Sequence, residues 1–375
     1  MNIDSDMNRN INKNLNRNVN LNTKRFRQNP LPILLLALAL ALVFALAVPA
    51  VLLSGCAPTR PSIAFFIYDG DDTYITQMMD SIQKQISPTY DISIYDAKNS
   101  QSVQNRQISE ALDGNANLLI INAVDRLACR SIVEKCRLKG VQIIFFNREP
   151  TADAMAGDRV YYVGAAADSL GKKQADMVAK LFGTFPGSVY DKNSDGVIQL
   201  AILKGEQGHQ DAEKRTEHCV SRLRELGYEV DVLALEVADW VRKAAQESMM
   251  QIYTTYNDSI ELVFANNDDM ALGAIDYLTE AGIFRINSGG YRQPFVLVGV
   301  DGTRVGLEAV KEKLLYGTVL NDSIHQADAI LSLVDYILNK KDMSSFGYRL
   351  TNGQYVYIDG EIITMNEVDR YLVER

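Results

Sequence analysis

The chain has 375 residues, with 38 Lys and Arg against 47 Asp and Glu, and its 47% hydrophobic and 23% charged content is that of globular domains, two by length. Residues 1–55 hold six basic and two acidic side chains, net +4, so the overall −9 leaves −13 on the remainder. An acidic body of this kind excludes nucleic acid and an anionic membrane surface as partners.

Residues 1–30 are Asn-rich and basic without periodicity, which predicts an unstructured leader. A charge-free apolar run follows from Leu31 to Leu53, long enough to span a bilayer. It ends in Leu53-Ser54-Gly55-Cys56, which resembles the lipobox of bacterial lipoproteins. That resemblance implies that 1–55 is a signal peptide with its leader, cleaved before Cys56, and that the Cys56 sulfur carries a diacylglyceryl group. The protein would then be a lipoprotein anchored to the outer face of the bacterial cell membrane. An uncleaved transmembrane helix is the alternative, and either places the body outside the cytoplasm. The three other cysteines, Cys129, Cys136 and Cys219, are an odd set. The first two are seven residues apart on one predicted helix, roughly 10 Å, too far to bridge. All three are expected as buried free thiols.

From residue 62 short apolar runs alternate with segments of helical spacing. Ser62–Tyr68, Asp91–Tyr95, Leu118–Asn122 and Val141–Asn147 read as strands, with helices over Thr73–Ile86, Ser102–Leu112 and Leu127–Leu138 between them. A second series places strands at Val160–Val163, Ile198–Lys204, Glu229–Leu235, Glu261–Ala265, Phe295–Gly299 and Gly317–Leu320. Its helices are Ala166–Phe182, Asp211–Glu225, Trp240–Thr254 and Asp268–Ala281. This βαβ alternation predicts an α/β fold with parallel sheets covered on both faces, divided into two doubly wound lobes. Tyr355–Ile358 and Ile362–Thr364, around Asp359-Gly360, read as a hairpin-like pair.

Ligands of open parallel sheets bind beyond the carboxyl ends of the strands. At those positions stand Tyr68, Asp69, Asp71, Asp72 and Tyr74; Asn122 and Asp125; His209, Asp211 and Arg215; Asp239 and Trp240; Asn266, Asn267 and Asp268; Asp301; and Asn321 and Asp322. Any one of these Asn or Asp residues is a natural helix cap. Their recurrence in both halves points further. Carboxylates, carboxamides and a planar Arg fork exchange hydrogen bonds with hydroxyl groups, and Tyr74 and Trp240 offer flat apolar faces. A pyranose, with polar edges and C–H faces, suits that inventory.

Asp191-Lys-Asn193-Ser-Asp195-Gly196-Val197-Ile-Gln199 matches the opening of an EF-hand loop, an oxygen ladder for a hard cation. The twelfth position holds Ile202 in place of Glu, so a remote carboxylate must close the shell; a solvated turn is the alternative.

Together these residues resemble the periplasmic galactose/glucose-binding protein family of ABC sugar transporters, over nearly all of 62–375. The likeness is closest in Gly205-Glu-Gln-Gly-His209-Gln-Asp211-Ala-Glu-Lys-Arg215, Phe264-Ala-Asn-Asn267-Asp, Gly299-Val-Asp301 and Gly317-Thr-Val-Leu-Asn321-Asp. The calcium loop before the Gly-Glu-x-Gly-His motif separates this branch from the ribose binders. The resemblance implies a periplasmic-binding-protein type I fold: one lobe from 56–146 plus 322–359 and the other from 147–321 plus 360–375. Hinge crossings are then expected near Phe146–Glu149, Leu320–Asp322 and Asp359–Thr364.

The resemblance also implies a sugar between the lobes. Tyr74 and Trp240 would stack on its two faces, and Tyr68 would line the cleft. Asp72, Asn122, His209, Asp211, Arg215, Asn267, Asp301 and Asn321 would bond its hydroxyls and ring oxygen. Tyr74 stands where the family usually has Phe, so that face carries an extra hydroxyl. Calcium would be held by Asp191, Asn193, Asp195, the Val197 carbonyl, Gln199 and the distant Glu261. An aldohexose, galactose or glucose, would select a closed state that docks on an ABC permease. The protein is expected to be a monomer.

An extracellular sugar-processing enzyme would need similar carboxylates, but no GxSxG, HExxH or P-loop motif is present. A sensor accessory for a membrane kinase or chemoreceptor would use the same binding residues and differ only in its partner. A sugar-responsive repressor would need a DNA-reading helix before residue 62, where the lipobox lies instead.

Overall fold

Alternation in the sequence becomes alternation in space. The computed structural model describes residues 60–374 other than 287–289, 343 and 345. They belong to a unit that begins at Arg60. The preceding unit, Met1–Thr59, lies outside the described residues, and with it the expectations for the apolar run and Cys56.

The first lobe opens with β1 (Ser62–Ile67), α1 (Thr73–Gln85), β2 (Asp91–Asp96), α2 (Gln101–Asp113), β3 (Leu118–Ile121), α3 (Cys129–Lys139), β4 (Gln142–Phe146) and β5 (Val160–Ala165). Next come α4 (Ala167–Phe182), β6 (Val197–Lys204), α5 (Gln210–Glu225), β7 (Glu229–Val237), α6 (Arg242–Tyr256), β8 (Leu262–Ala265) and α7 (Asp268–Glu280). The chain ends with β9 (Val296–Asp301), α8 (Arg304–Lys311), β10 (Gly317–Leu320), α9 (Ser323–Asn339), β11 (Tyr355–Ile358), β12 (Ile362–Thr364) and α10 (Val368–Glu374). Helices α8 and α9 escaped the apolar-spacing reading, although Thr303 and Asp322 cap their starts with side-chain oxygens.

Two six-stranded sheets result, in the orders β2-β1-β3-β4-β5-β11 and β7-β6-β8-β9-β10-β12. All pairings are parallel except β10 with β12. Helices cover both faces of each sheet, so central strands are apolar throughout. All four residues of β3 are fully buried, and so are Phe65, Phe66, Phe145 and Phe146. Cys129, Cys136 and Cys219 are free and buried, and burial pushes each thiol up to about 12.

Two boundaries differ from the sequence reading. Strand β5 pairs with β4 in the first sheet, Ile143 beside Val160 through Phe146 beside Val163. The first passage between lobes therefore follows Ala165 and does not lie at Phe146–Glu149, so 147–165 leaves the second lobe for the first. An apolar run reports that a strand is buried, not which of two sheets it joins. The hairpin is also corrected. Strand β11 pairs parallel with β5, while β12 pairs antiparallel with β10 in the other sheet. Asp359-Gly360 is thus a passage between lobes. Gly360 is required there by crowding: a Cβ would lie 2.4 Å from both Leu170 Cδ2 and the Leu320 carbonyl oxygen. The remaining passage runs from β10 into α9, at Leu320–Ser323.

Candidate functional site

Between the lobes, where the strands' carboxyl ends meet, lies a small cavity. The first lobe lines it with Tyr68, Asp72, Tyr74, Asn147 and Arg148. The second contributes His209, Asp211, Arg215, Trp240, Asn267 and Asp301.

In the first lobe the positions follow from β1 running into α1. Tyr68 ends the strand run, and its hydroxyl donates to Asp72 Oδ2 at 2.5 Å. Asp72 caps α1, accepting from the Ile75 amide at 2.8 Å, which seats Tyr74 in the first turn. The Arg148 guanidinium lies 3.8 Å over the Tyr68 ring.

In the second lobe α5 carries three of the groups. His209 caps it through Nδ1, which accepts from the Asp211 amide at 3.1 Å. Burial, and then Arg148, Arg215 and Arg126, hold this imidazole well below its usual range and hence neutral. With Nδ1 accepting, the proton sits on Nε2, a donor. One turn on, Arg215 Nη2 donates to Asp211 Oδ2 at 2.9 Å and Nη1 to the Asn266 carbonyl at 2.8 Å. Nη1 is also 3.7 Å from Asp301 Oδ1.

Trp240 reaches the cavity because Asp239 (φ 50°) and Trp240 (φ 70°) are consecutive left-handed residues, rare for bulky side chains. Its ring lies on Gly205, where a Cβ would come within 2.4–2.5 Å of three ring carbons. The His209 ring meets it edge-on at 5.0 Å. Asn267 caps α7 and donates to the Trp240 carbonyl at 3.3 Å. Asp301, at φ 114°, is a second strained residue at the same site.

Of the eleven residues expected at the site, nine line the cavity and two stand behind it. Asn122 accepts from the Tyr68 amide and donates to the Phe146 carbonyl and Asn147 Oδ1, so its amide braces strand ends. Asn321 donates to Asp301 Oδ1 at 3.2 Å and accepts from Gln326 at 2.7 Å. It orients Asp301 from behind. Asn147 and Arg148 were missed. Both lie just past β4, where the strand-end rule points, and it is the expectation of a hinge at Phe146–Glu149 that hides them.

The electrostatics match a neutral, hydroxyl-rich guest. Burial raises the pKa of Asp72, Asp211 and Asp301, while nearby arginines pull each back. Two buried donors, Arg215 Nε and Trp240 Nε1, have no hydrogen-bond partner among the described residues. A guest that both donates and accepts would satisfy carboxylates and these donors together.

The profile of the periplasmic binding protein domain matches residues 63–342. The chain belongs to the periplasmic binding protein family. The D-galactose/methyl-galactoside binding periplasmic protein MglB of Haemophilus influenzae is 32% identical over 302 residues, 80% of this chain and 87% of that protein. The ribose import binding protein RbsB of Salmonella typhimurium is 26% identical over 280 residues, 73% of this chain and 85% of that one. An ABC transporter solute binding protein from Bacillus halodurans, solved with myo-inositol, superposes with a TM-score of 0.69 at 26% identity, covering 84% of this chain and 98% of that one. This periplasmic binding protein is therefore a solute binder of the extracytoplasmic, transporter-associated kind and not an enzyme.

The predicted calcium loop precedes and enters β6 of this periplasmic binding protein. Asp191 Oδ2 accepts from the Gly187 and Gly196 amides at 3.2 and 3.1 Å. Asp195 accepts from the Val197 amide at 2.8 Å, Asn193 at 2.7 Å and Gln199 at 2.9 Å. Glu261 reaches the loop from the start of the β8 segment, accepting from the Lys192 amide at 2.6 Å and the Gln199 amide at 3.2 Å. Among the described residues no three Asp, Glu, His or Cys side chains converge as a ready-made metal cage. The donor set nevertheless fits a hard cation. Asp191 Oδ1 and Gln199 Oε1 are buried oxygens without a partner among the described residues, and carboxylates that accept amide bonds keep lone pairs to spare.

Proposed function

We propose that this protein is an aldohexose receptor, for galactose or glucose, that delivers its sugar to an ABC permease. The observation that carries the reading is the convergence, from both lobes, of Asp72, Asp211 and Asp301 around a cavity walled by Tyr74 and Trp240. Three carboxylates, of which Asp211 and Asp301 are buried, disfavour an anionic ligand and accept from hydroxyls; two aromatics cover apolar ring faces. The 32% identity to a protein named for D-galactose and methyl-galactoside favours a hexose over the ribose of the more distant relative. Bound sugar bridges the lobes and selects the closed state, because only there do its hydroxyls reach partners from both. The receptor works as a monomer held outside the cell membrane by lipid on Cys56. A calcium ion held by Asp191, Asn193, Asp195, the Val197 carbonyl, Gln199 and Glu261 ties the loop before β6 to β8.

The test is calorimetric titration of the full-length protein, in detergent, with D-galactose, D-glucose, D-ribose and myo-inositol. Submillimolar binding of one or both hexoses, with ribose and inositol at least tenfold weaker, is expected. Tighter binding of ribose or inositol would overturn the hexose assignment.

A further inference from the structure

An ion pair crosses from one lobe to the other at the rim of the cavity. Arg148 stands past β4 in the first lobe, and Glu206 past β6 in the second. Arg148 Nη2 is 3.0 Å from Glu206 Oε2, and Nη1 donates to the Val124 carbonyl at 2.6 Å. The Arg148 side chain is 4% exposed and that of Glu206 42%. Arg148 lines the inner cavity and Glu206 does not. Both border two outer hollows that adjoin it. The pair thus stands where the inner cavity meets the outside. A second link lies beside it: Arg126 Nη2 donates to Gln210 Oε1 at 2.6 Å, and Gln210 Nε2 to Glu149 Oε2 at 2.9 Å.

We propose that Arg148 and Glu206 form a latch across the mouth of the cleft. It holds the closed state through a bond between protein groups, in addition to whatever the ligand bridges. Arg148 is also a positioning residue. Its guanidinium braces the Tyr68 ring, and the Tyr68 hydroxyl orients Asp72. Closure is common to every ligand of the cleft, and Glu206 lies outside the inner cavity. Breaking the latch from the Glu206 side therefore weakens all ligands by one factor and leaves their ranking intact. Escape requires opening, so the change falls on the dissociation rate.

The inference rests on the cleft being the sugar site. Stopped-flow kinetics with galactose and glucose on the full-length protein test it, using Glu206→Gln, Arg148→Met and the double variant. Glu206→Gln is expected to raise the dissociation rate about fivefold for both sugars with little change in association, as for one half-exposed charged bond. In the Arg148→Met background the same change does nothing, because its partner is gone. Added salt speeds dissociation from wild type and not from Glu206→Gln. An unchanged dissociation rate in Glu206→Gln, or an equal effect in both backgrounds, overturns the latch. Should neither sugar bind wild type, the sugar reading fails by itself. The latch is then judged by solution scattering without sugar: a smaller radius in wild type than in Glu206→Gln supports it, and equal radii overturn it.

Discussion

Gly205 tests the geometry of the site without altering one polar contact. Its φ is not positive, so Ala is acceptable to the backbone and the effect of the added methyl is steric. The new Cβ would lie 2.4 Å from Cη2 and Cζ2 of Trp240 and 2.5 Å from Cζ3. Carbon contacts settle at about 3.5–4.0 Å, so the ring must withdraw by roughly 1 Å. His209 stands edge-on against it at 5.0 Å. The ring therefore moves toward the cavity, into the volume a stacked sugar would fill. Without sugar this costs little, and the midpoint of thermal unfolding should fall by only a few degrees, about 2–4 °C per kcal/mol. With sugar the ring and ligand compete. Overpacking of this kind costs about 1–3 kcal/mol, or roughly 5- to 150-fold in affinity. Calorimetric titration alongside thermal unfolding of Gly205→Ala separates the two effects. Affinity within threefold of wild type, with the fold intact, would refute the claim that the Trp240 face bears on the ligand.

Trp240→Ala should weaken galactose binding tenfold or more, since one ring wall is lost; unchanged affinity in the same titration would remove its stacking role. Because His209 is held neutral, it should add no pH dependence to hexose affinity from about pH 6 to 8, so His209→Gln should leave the shape of the affinity profile over that range unchanged. Stability behaves differently: the folded pKa is depressed, so the unfolded chain takes up a proton the buried ring refuses, and stability is lost as pH falls through about 6.5. His209→Gln should flatten that slope in thermal unfolding measured from pH 5 to 7.5; an identical slope would contradict the assignment. Chelation should lower the unfolding midpoint by about 5 °C, restored by calcium, and Asp191→Asn should abolish the response. A wild-type midpoint indifferent to chelator would leave Asp191 Oδ1 and Gln199 Oε1 without their cation.

Local pattern carried much of this protein. The alternation that begins at Ser62 is visible because parallel strands covered on both faces must be apolar throughout and the helices between them amphipathic. The strand-end rule then found nine cavity-lining side chains, since a parallel sheet presents its carboxyl ends along one edge. The oxygen spacing within Asp191–Gln199 is likewise local, and Asp195 accepts there from Asn193, the Val197 amide and Gln199.

Questions about partners distant in the chain were not legible. Burial of Val160–Val163 is written locally, but its neighbour in the sheet is not, and only the pairing with β4 moved the crossing to Ala165. Asp359-Gly360 has the chemistry of a hairpin turn. Its glycine instead serves the close approach of Leu170 and Leu320, one 190 and the other 40 residues earlier in the chain. Asn122 and Asn147 are alike as residues; hydrogen bonds to Tyr68 and Phe146 decide that the first braces and the second faces the cavity. The Arg148–Glu206 pair joins side chains 58 positions apart on different lobes. Composition and periodicity record whether each residue is buried. Which groups meet across the cleft is a property of the packed chain, because it depends on how two separately formed sheets are turned toward each other.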